Sequence, residues 1–189
     1  QNPVRCAVPE TADTMKNEIL KAAEAGDSVG GIVEGIALNV PVGLGEPIFD
    51  SLDSEIAKML FNIPAVKGVE FGAGFRSASM RGSENNDQYV IRKGKIVTLT
   101  NNAGGILGGI SNGMPIVVRV AFKPTASIPK KQRTVDLTSM KETEIELKGR
   151  YDPCIVPRAV PVVESCLAFV LADHALRSGK IPKIIKAKE

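Results

Sequence analysis

The feature that most limits how this chain can fold is a run of glycines within residues 101–113, NNAGGILGGISNG. Five of these thirteen residues are glycine. Glycine costs about 0.5–1 kcal/mol relative to alanine inside a helix or strand, so such a cluster has a backbone reason. It supplies positive φ angles or lets the main chain approach a neighbour closely. The run therefore predicts either a concave anion site lined by N–H groups or a tight turn whose glycines pack against another element.

The glycine run matches neither of the common phosphate-binding loops. A Walker loop ends in Gly-Lys-Ser/Thr, whereas the last glycine here, Gly113, precedes Met114. The glycines also miss the one, three and six spacing of the dinucleotide fingerprint. However, the predicted strand that follows the run leads directly into KPTAS, residues 123–127, which offers a lysine and two hydroxyls. This order of glycines, strand and basic turn favours a phosphate ligand.

Charge and composition narrow the class of partner. A net charge of +3 favours anionic ligands without requiring nucleic acid. The chain has no tryptophan, only two tyrosines and no RNA-binding aromatic motif, so we expect no nucleic-acid partner. Three cysteines without a Cys-x-x-Cys pair, beside a single histidine, predict no metal site and a reducing, cytoplasmic setting. We expect no signal peptide and no membrane span.

Hydrophobic periodicity predicts helices over residues 11–26, 50–62 and 160–177. Strands are predicted for residues 28–40, 66–71, 114–123 and 143–147, with a hairpin over 88–100. This order suggests an α+β fold with antiparallel pairing rather than a doubly wound sheet. We expect one domain over residues 1–179 and a lysine-rich tail over 180–189. The long polar loop 72–87 is expected to be functional or mobile.

A second candidate site is the stretch RYDP, residues 150–153. Pro153 disfavours a helical conformation at Asp152, so the carboxylate is presented on a restricted loop. In an extended stretch Arg150 and Asp152 point to one face, while Tyr151 points away from both. Residue types alone favour a surface turn with a weak ion pair over a site by about two to one.

His174 is the only histidine, and it lies on the apolar side of the predicted helix 160–177. A packed structural histidine is the better interpretation, because a lone helical histidine rarely has a site around it. Nothing in the sequence indicates an activated thiol at Cys154. Three further arginines either shape an anionic pocket or lie in solvent: Arg76, Arg81 and Arg158.

Six segments, in order, carry a family resemblance: NVPVGLGEPIFD (39–50), AVKGVEFG (65–72), RGSENND (81–87), the glycine run, KPTAS (123–127) and GRYDPCIVPRAVP (149–161). Together they resemble the chorismate synthase family, and the resemblance covers nearly the whole chain. The similarity is to the second half of the family's sequences. The first half of those sequences, with its two active-site histidines, has no counterpart here. The chain departs from the family at Tyr151, where histidine is usual, and we expect a supporting role for Tyr151.

The resemblance implies a β-α-β sandwich, in which antiparallel sheets enclose a helical layer, and a homotetramer for the full-length protein. It implies reduced FMN as cofactor and 5-enolpyruvylshikimate 3-phosphate as substrate. It also implies a proton-relay role for Asp152. The cofactor contacts that it implies are Ala65, Gly108, Lys123, Pro124, Thr125, Ala126, Ser127 and Arg150.

Two classes of function follow. The resemblance implies a lyase of the shikimate pathway that forms chorismate by 1,4-elimination of phosphate, with reduced FMN required and no net redox change. The chain alone is then expected to be inactive, because the family's acid–base histidines belong to the other half. The alternative is a non-catalytic module that binds anions or nucleotides. Such a module would not distinguish reduced from oxidised FMN.

Overall fold

The computed structural model describes residues 2–182 and 184. The chain divides into two compact units. The first unit comprises Gln1–Ile32 and Phe122–Val160, and the second comprises Val33–Ala121 and Pro161–Glu189. Most of the predicted tail, residues 180–189, falls outside the described residues.

The described residues form helices and short strands, which confirms the predicted α+β class. Three of the sheets are antiparallel pairs, β3 with β4, β5 with β6, and β8 with β9. In chain order the elements are α1 (Pro9–Glu24), β1 (Gly31–Ala37), α2 (Leu52–Phe61), β2 (Val66–Phe71), a 3-10 helix (Gly74–Ser79), α3 (Gly82–Asn85), β3 (Tyr89–Arg92), β4 (Lys95–Thr98), β5 (Ile106–Leu107), β6 (Ile110–Ser111), β7 (Ile116–Phe122), β8 (Gln132–Asp136), β9 (Lys141–Ile145) and α4 (Val156–Arg177).

The central sheet of the second unit has the strand order β1-β7-β2. Its middle strand, β7, alternates as the sequence predicts. Ile116, Val118 and Val120 are fully buried, and the residues between them are partly exposed. Because successive side chains of a strand point to opposite faces, one face of the sheet forms the core and the other remains accessible.

Two helices contribute to this core. The apolar side chains predicted along α2 are fully buried at Leu52, Ile56 and Leu60. Helix α4 packs on β1 at Gly35, where an added Cβ would lie 2.6 Å from the side chain of Leu167. It begins at residue 156 rather than at the predicted 160, because Pro157 falls in its first turn, where a missing N–H is tolerated.

Helix α4 is apolar on two sides. One side, with Val163 and Leu167, is buried. On the other side Val162, Phe169 and Leu176 follow one another at intervals of seven residues and are 44%, 65% and 37% exposed. Among the described residues α4 is the single helix long and apolar enough to cross a membrane. That is weak evidence for a span, since a core helix passes the same test.

The accessible face of the sheet carries an ion pair between Glu70 of β2 and Arg119 of β7. The Nε of Arg119 lies 2.7 Å from Oε1 of Glu70, and the guanidinium also donates to the carbonyl of Gly72 at 2.8 Å. The N–H of Phe75 donates to Oε2 of Glu70 at 3.0 Å. The bond from Phe75, together with Arg119, holds the pKa of Glu70 below its usual range.

The glycine run folds into the small hairpin β5–β6 and packs against other backbone. An added Cβ at Gly104 would lie 2.4 Å from the N atom of Gly72, and one at Gly109 would lie 2.6 Å from Cβ of Ser51. An added Cβ at Gly108 meets no atom of the described residues within 4 Å. The packed-turn alternative therefore describes Gly104 and Gly109, whereas the space beside Gly108 is open.

The loop 72–87 contains regular structure, the 3-10 helix and α3, and ends at Asp87. The carboxylate of Asp87 accepts hydrogen bonds from the N–H groups of Asn102 and Ala103 and from the hydroxyl of Thr100. Burial alone raises the pKa of Asp87, but these three bonds lower it overall. Asp87 thus fixes the start of the glycine run.

In the first unit, α1 begins and ends two residues earlier than predicted. The predicted strand 143–147 is β9, which pairs with β8 from Gln132, opposite Ile145, to Asp136, opposite Lys141. Strand β8 was missed because its sequence, QRTVD, has almost no apolar alternation and is nearly all exposed.

A matched pair of substitutions tests the glycine packing. Gly104 and Gly108 have similar φ angles, +66° and +60°, but only Gly104 lacks space for a Cβ. Gly108→Ala should cost about 1 kcal/mol of unfolding free energy, from the left-handed conformation alone. Gly104→Ala should cost at least about 3 kcal/mol, because overpacking adds to that cost. Urea denaturation measures both, and equal losses would contradict close packing at Gly104.

A second prediction concerns acid stability. Glu70→Gln should lower the free energy of unfolding near pH 7 by about 1–2 kcal/mol, because charge-assisted hydrogen bonds are lost from a partly exposed pair. Since the folded chain lowers the pKa of Glu70, this stabilisation exists above the unfolded pKa of about 4.3 and disappears as the pH falls through the folded pKa.

Urea denaturation of wild type and Glu70→Gln from pH 7 to pH 3 should therefore show a difference that shrinks with acidification. The control is Glu142→Gln, because the ion pair of Glu142 with Arg133 is exposed on both sides and should contribute little. A difference for Glu70→Gln that is the same at every pH would argue against the role of its charge.

Candidate functional site

The predicted site residues fall in both units. Lys123, Pro124, Thr125, Ala126, Ser127, Arg150 and Asp152 belong to the first unit, and Ala65 and Gly108 belong to the second. Each group is described by itself.

The loop 123–127 begins where β7 ends. Phe122 is buried, and Lys123, the next residue, is exposed with no hydrogen bond or ion pair to the described residues. Residues 28–30 pack against this loop. The hydroxyl of Ser28 donates to the carbonyl of Thr125 at 2.6 Å, and an added Cβ at Gly30 would lie 2.3 Å from the carbonyl oxygen of Phe122. The ammonium group is therefore presented from a fixed backbone.

Thr125 carries an unsatisfied polar atom in this loop. Its Oγ1 is buried and has no hydrogen-bond partner within the described part of the chain. Such a group costs about 1–3 kcal/mol if it stays unsatisfied, so it calls for an explanation. A ligand oxygen or an ordered water at this loop would supply the missing partner.

Asp152 is oriented by contacts on both carboxylate oxygens. Oδ1 accepts from the N–H of Cys154 at 3.2 Å, and Oδ2 lies 3.2 Å from Nη2 of Arg158 in the first turn of α4. The Arg158 contact is close, but Oδ2 is buried and has no hydrogen bond of good geometry within the described residues. The distance therefore indicates an ion pair.

Arg158 lies largely in solvent, one of the two alternatives left open by the sequence, because 82% of its side chain is exposed. Its guanidinium is also the charged neighbour of Asp152. The sequence signal that could have indicated this pair is the spacing of six residues from Asp152, in the loop, to Arg158, at the start of the helix. That spacing is too common to be specific. Arg76 and Arg81 are exposed in the second unit.

Arg150, Tyr151 and Asp152 line one cavity of about 240 Å³ in the first unit. Tyr151 was expected to point away from its neighbours, but it also contributes to the wall. The reason is that residues 149–152 are not extended strand, since Gly149 has a φ of +149°. The cavity is smaller than the roughly 300–1,000 Å³ of most ligand sites, so it can hold only part of a cofactor-sized ligand.

Sequence reasoning missed one acidic residue of this cavity, Asp27. Its carboxylate accepts from Nζ of Lys130 at 2.6 Å and from the N–H of Ser28 at 2.8 Å. The bond from Lys130, followed by that from Ser28, lowers the pKa of Asp27. Because its charge is already compensated by Lys130, Asp27 leaves the cavity open to an anion.

A larger cavity, of about 530 Å³, lies along residues 2–7. Its described lining contains one charged side chain, Arg5, and none of the predicted site residues. Volume therefore does not identify the site here, and the smaller cavity has the convergent charged groups.

The two candidate residues of the second unit lie at turns. Ala65 has a φ of +73°, and the N–H of Val66 bonds to the carbonyl of Ile63 at 3.3 Å around Pro64. This position of a turn normally holds glycine, so the alanine is strained, and strain of this kind concentrates at functional sites. Gly108 has a φ of +60° and faces open space. Neither position carries a polar side chain, so a ligand contact at either would have to come from the backbone.

Two residues set aside from the sequence are buried. His174 is only 2% exposed, as expected for a packed structural histidine. Cys154 is buried as well, and burial raises the pKa of its thiol, which favours the unreactive protonated form.

The sequence profile of the chorismate synthase family matches residues 1–176. A chorismate synthase of Pyrococcus abyssi is 61% identical over 93% of this chain and 49% of its own length. One from Dehalococcoides mccartyi is 58% identical over 98% of the chain and 51% of its own length.

A solved structure titled "Crystal Structure of Chorismate Synthase" superposes with a TM-score of 0.73 at 39% identity, covering 90% of this chain and 44% of that one. The chain spans about half the length of the relatives it matches. With the profile, the sequence identities and the fold in agreement over nearly all of its residues, the chain belongs to the chorismate synthase family.

Proposed function

We propose that this chain is the flavin- and phosphate-binding half of a chorismate synthase. The reaction is the 1,4-elimination of phosphate from 5-enolpyruvylshikimate 3-phosphate, which yields chorismate in the shikimate pathway. Family membership supports the reaction class. The observation that carries the proposal for this chain is the cavity of the first unit, in which an exposed guanidinium and an oriented carboxylate, Arg150 and Asp152, line one wall.

The residues present fit reduced FMN as the cofactor. The ammonium of Lys123 has no partner in the described chain, and the hydroxyl of Thr125 is buried without one. Lys123, Ser127 and Arg150 offer cationic and hydroxyl donors to a flavin phosphate or to the substrate phosphate. Pro124 and Ala126 lie between the polar residues of this loop and are apolar. When bound, reduced FMN supplies the electron-rich ring that the elimination requires.

Asp152 carries the proposed chemical role. Its Oδ1 is fixed by the N–H of Cys154, and its Oδ2 is buried beside Arg158. Contacts on both oxygens fix the orientation of this carboxylate on the cavity wall, and a group that transfers a proton must be oriented in this way. We therefore propose Asp152 as the proton-relay residue.

The proposed site needs more than this chain. Within the first unit the cavity is too small for a cofactor-sized ligand. The family's acid–base histidines belong to the half of the protein that this chain does not span. We therefore propose a full-length, cytoplasmic homotetramer as the active form.

The alternative is a non-catalytic module that binds anions or nucleotides. The unpartnered donors of the first unit would serve such a module equally well. Oxidation state separates the two, because a phosphate-binding module contacts groups that are identical in oxidised and reduced FMN. Preference for reduced FMN therefore supports the lyase.

A hybrid protein tests the proposed reaction. The chain should replace the corresponding half of the Pyrococcus abyssi relative, to which it is 61% identical, and the hybrid should form chorismate anaerobically with reduced FMN. The chain alone should show no family-like turnover, because each missing acid–base group contributes about 10²–10⁴-fold. Full activity of the chain alone, or an inactive but folded hybrid, would refute the proposal.

Asp152→Asn in the hybrid is the matched inactive control. Asparagine keeps the size of the side chain but removes its charge and its proton, so kcat and kcat/KM should fall together while reduced FMN still binds. A raised KM with unchanged kcat would instead make Asp152 an anchor for its neighbours.

The role of Lys123 can be measured in the hybrid. Lys123→Ala in the hybrid should weaken binding of reduced FMN by roughly 1.5–3 kcal/mol, since a charge-assisted contact is lost, and should leave thermal stability nearly unchanged. Lys141→Ala, another exposed lysine of the first unit, is the control and should affect neither quantity. A lower melting temperature with unchanged FMN binding would show that Lys123 is structural.

A further inference from the structure

The loop that contains Arg150 makes many contacts on the C-terminal side of that residue and few on its N-terminal side. On the downstream side Cys154 bonds to the carboxylate of Asp152, Arg158 lies beside that carboxylate, and the N–H of Val29 donates to the carbonyl of Pro153 at 2.9 Å. On the upstream side, within the described residues, a single hydrogen bond involves residues 146–151. Its donor is the phenol of Tyr151.

Tyr151 folds back over its own turn. Its hydroxyl donates to the carbonyl of Lys148 at 3.2 Å. Its ring lies over Gly149, where an added Cβ would be 3.4 Å from both Cζ and the hydroxyl oxygen of Tyr151. The φ of +149° at Gly149 is the bend that brings ring and carbonyl together. One side chain therefore closes a turn of four residues, and Arg150 lies inside that turn.

We infer that Tyr151 is a positioning residue, whose phenol closes the 148–151 turn and so holds Arg150 on the wall of the cavity. The inference rests on the proposed function for its ligand, because Arg150 is assigned to a phosphate or flavin there. It gives a physical role to the tyrosine that stands here in place of the family's usual histidine. The phenol provides both a donor for Lys148 and a flat apolar surface for Gly149, and neither of these contacts requires a charge.

Trypsin measures the closed turn without any ligand. Trypsin cleaves after lysine and arginine, so Lys148 and Arg150 mark the turn itself, and cleavage there requires local opening. Where opening is fast, the cleavage rate follows the population of the open form. Tyr151→Phe keeps the ring but removes the hydrogen bond, and it should raise cleavage after Lys148 and Arg150 about threefold to tenfold. Tyr151→Ala should raise it further.

Two controls make the change specific to this turn. Cleavage after Lys93, in the hairpin of the second unit, should stay constant in every variant. Tyr89→Phe alters the other tyrosine, which is 56% exposed and has no side-chain hydrogen bond in the described chain, and it should leave cleavage at the 148–151 turn unchanged. A rate after Arg150 that is the same in wild type, Tyr151→Phe and Tyr151→Ala would overturn the inference.

Anaerobic titration of the hybrid with reduced FMN measures the positioning of Arg150, with each substitution made in the hybrid. Tyr151→Ala should weaken binding at least about threefold, because only the closed fraction presents Arg150, and Tyr151→Phe should fall between it and wild type. Arg150→Gln should weaken binding about tenfold or more, since a charged donor is lost. If Arg150→Gln weakens binding but Tyr151→Ala does not, Tyr151 is merely structural and the inference is wrong.

The two measurements separate the inference from the proposed function. If Arg150→Gln in the hybrid binds reduced FMN as tightly as the unsubstituted hybrid, or if the unsubstituted hybrid does not bind it at all, the proposed function of the first unit is contradicted. Tryptic cleavage still decides whether Tyr151 closes the turn, because it needs no ligand. Faster cleavage together with weaker binding in the order Phe then Ala supports the full inference.

Discussion

Backbone lying directly against backbone is the constraint on which the second unit depends. Gly104 approaches Gly72 so closely that neither position has room for a Cβ. This approach brings the end of β2 beside the start of the glycine run, and the run leads through β5 and β6 into β7. The ion pair between Glu70 and Arg119 then joins β2 to β7 on the accessible face. The glycines thus determine where the strands meet, and the side chains secure that arrangement.

The sequence predicts elements well where packing follows one period. The apolar residues of α2 and the alternation of β7 were placed correctly, because a single buried face selects those side chains. It predicts poorly where burial contributes little. Strand β8 is almost entirely exposed, so its position depends on pairing with β9. The local pattern of apolar and polar residues does not indicate that pairing. Helix α4 begins earlier than predicted because Pro157 is tolerated in its first turn. The sequence prediction had treated proline as a helix breaker.

For the candidate site, the sequence and the family resemblance supply residue types, and the fold supplies their neighbours. Asp152 was recognisable from the Asp-Pro step, but its charged neighbour, Arg158, depends on how the loop enters α4. Tyr151 was expected to point away from Arg150 and Asp152, and only the bend at Gly149 turns it onto the same wall. Asp27 could not be predicted as part of the cavity because its approach to Lys130 spans 103 residues.

The exposed side of α4 has a consequence for handling the chain in solution. Val162, Phe169 and Leu176 place large apolar side chains in water along four turns of one helix. Water around such a stripe is expelled whenever another apolar surface covers it, so self-association and adsorption compete with the monomer as concentration rises. We therefore expect the melting temperature of the purified chain to depend on its concentration, in the way that mass action requires.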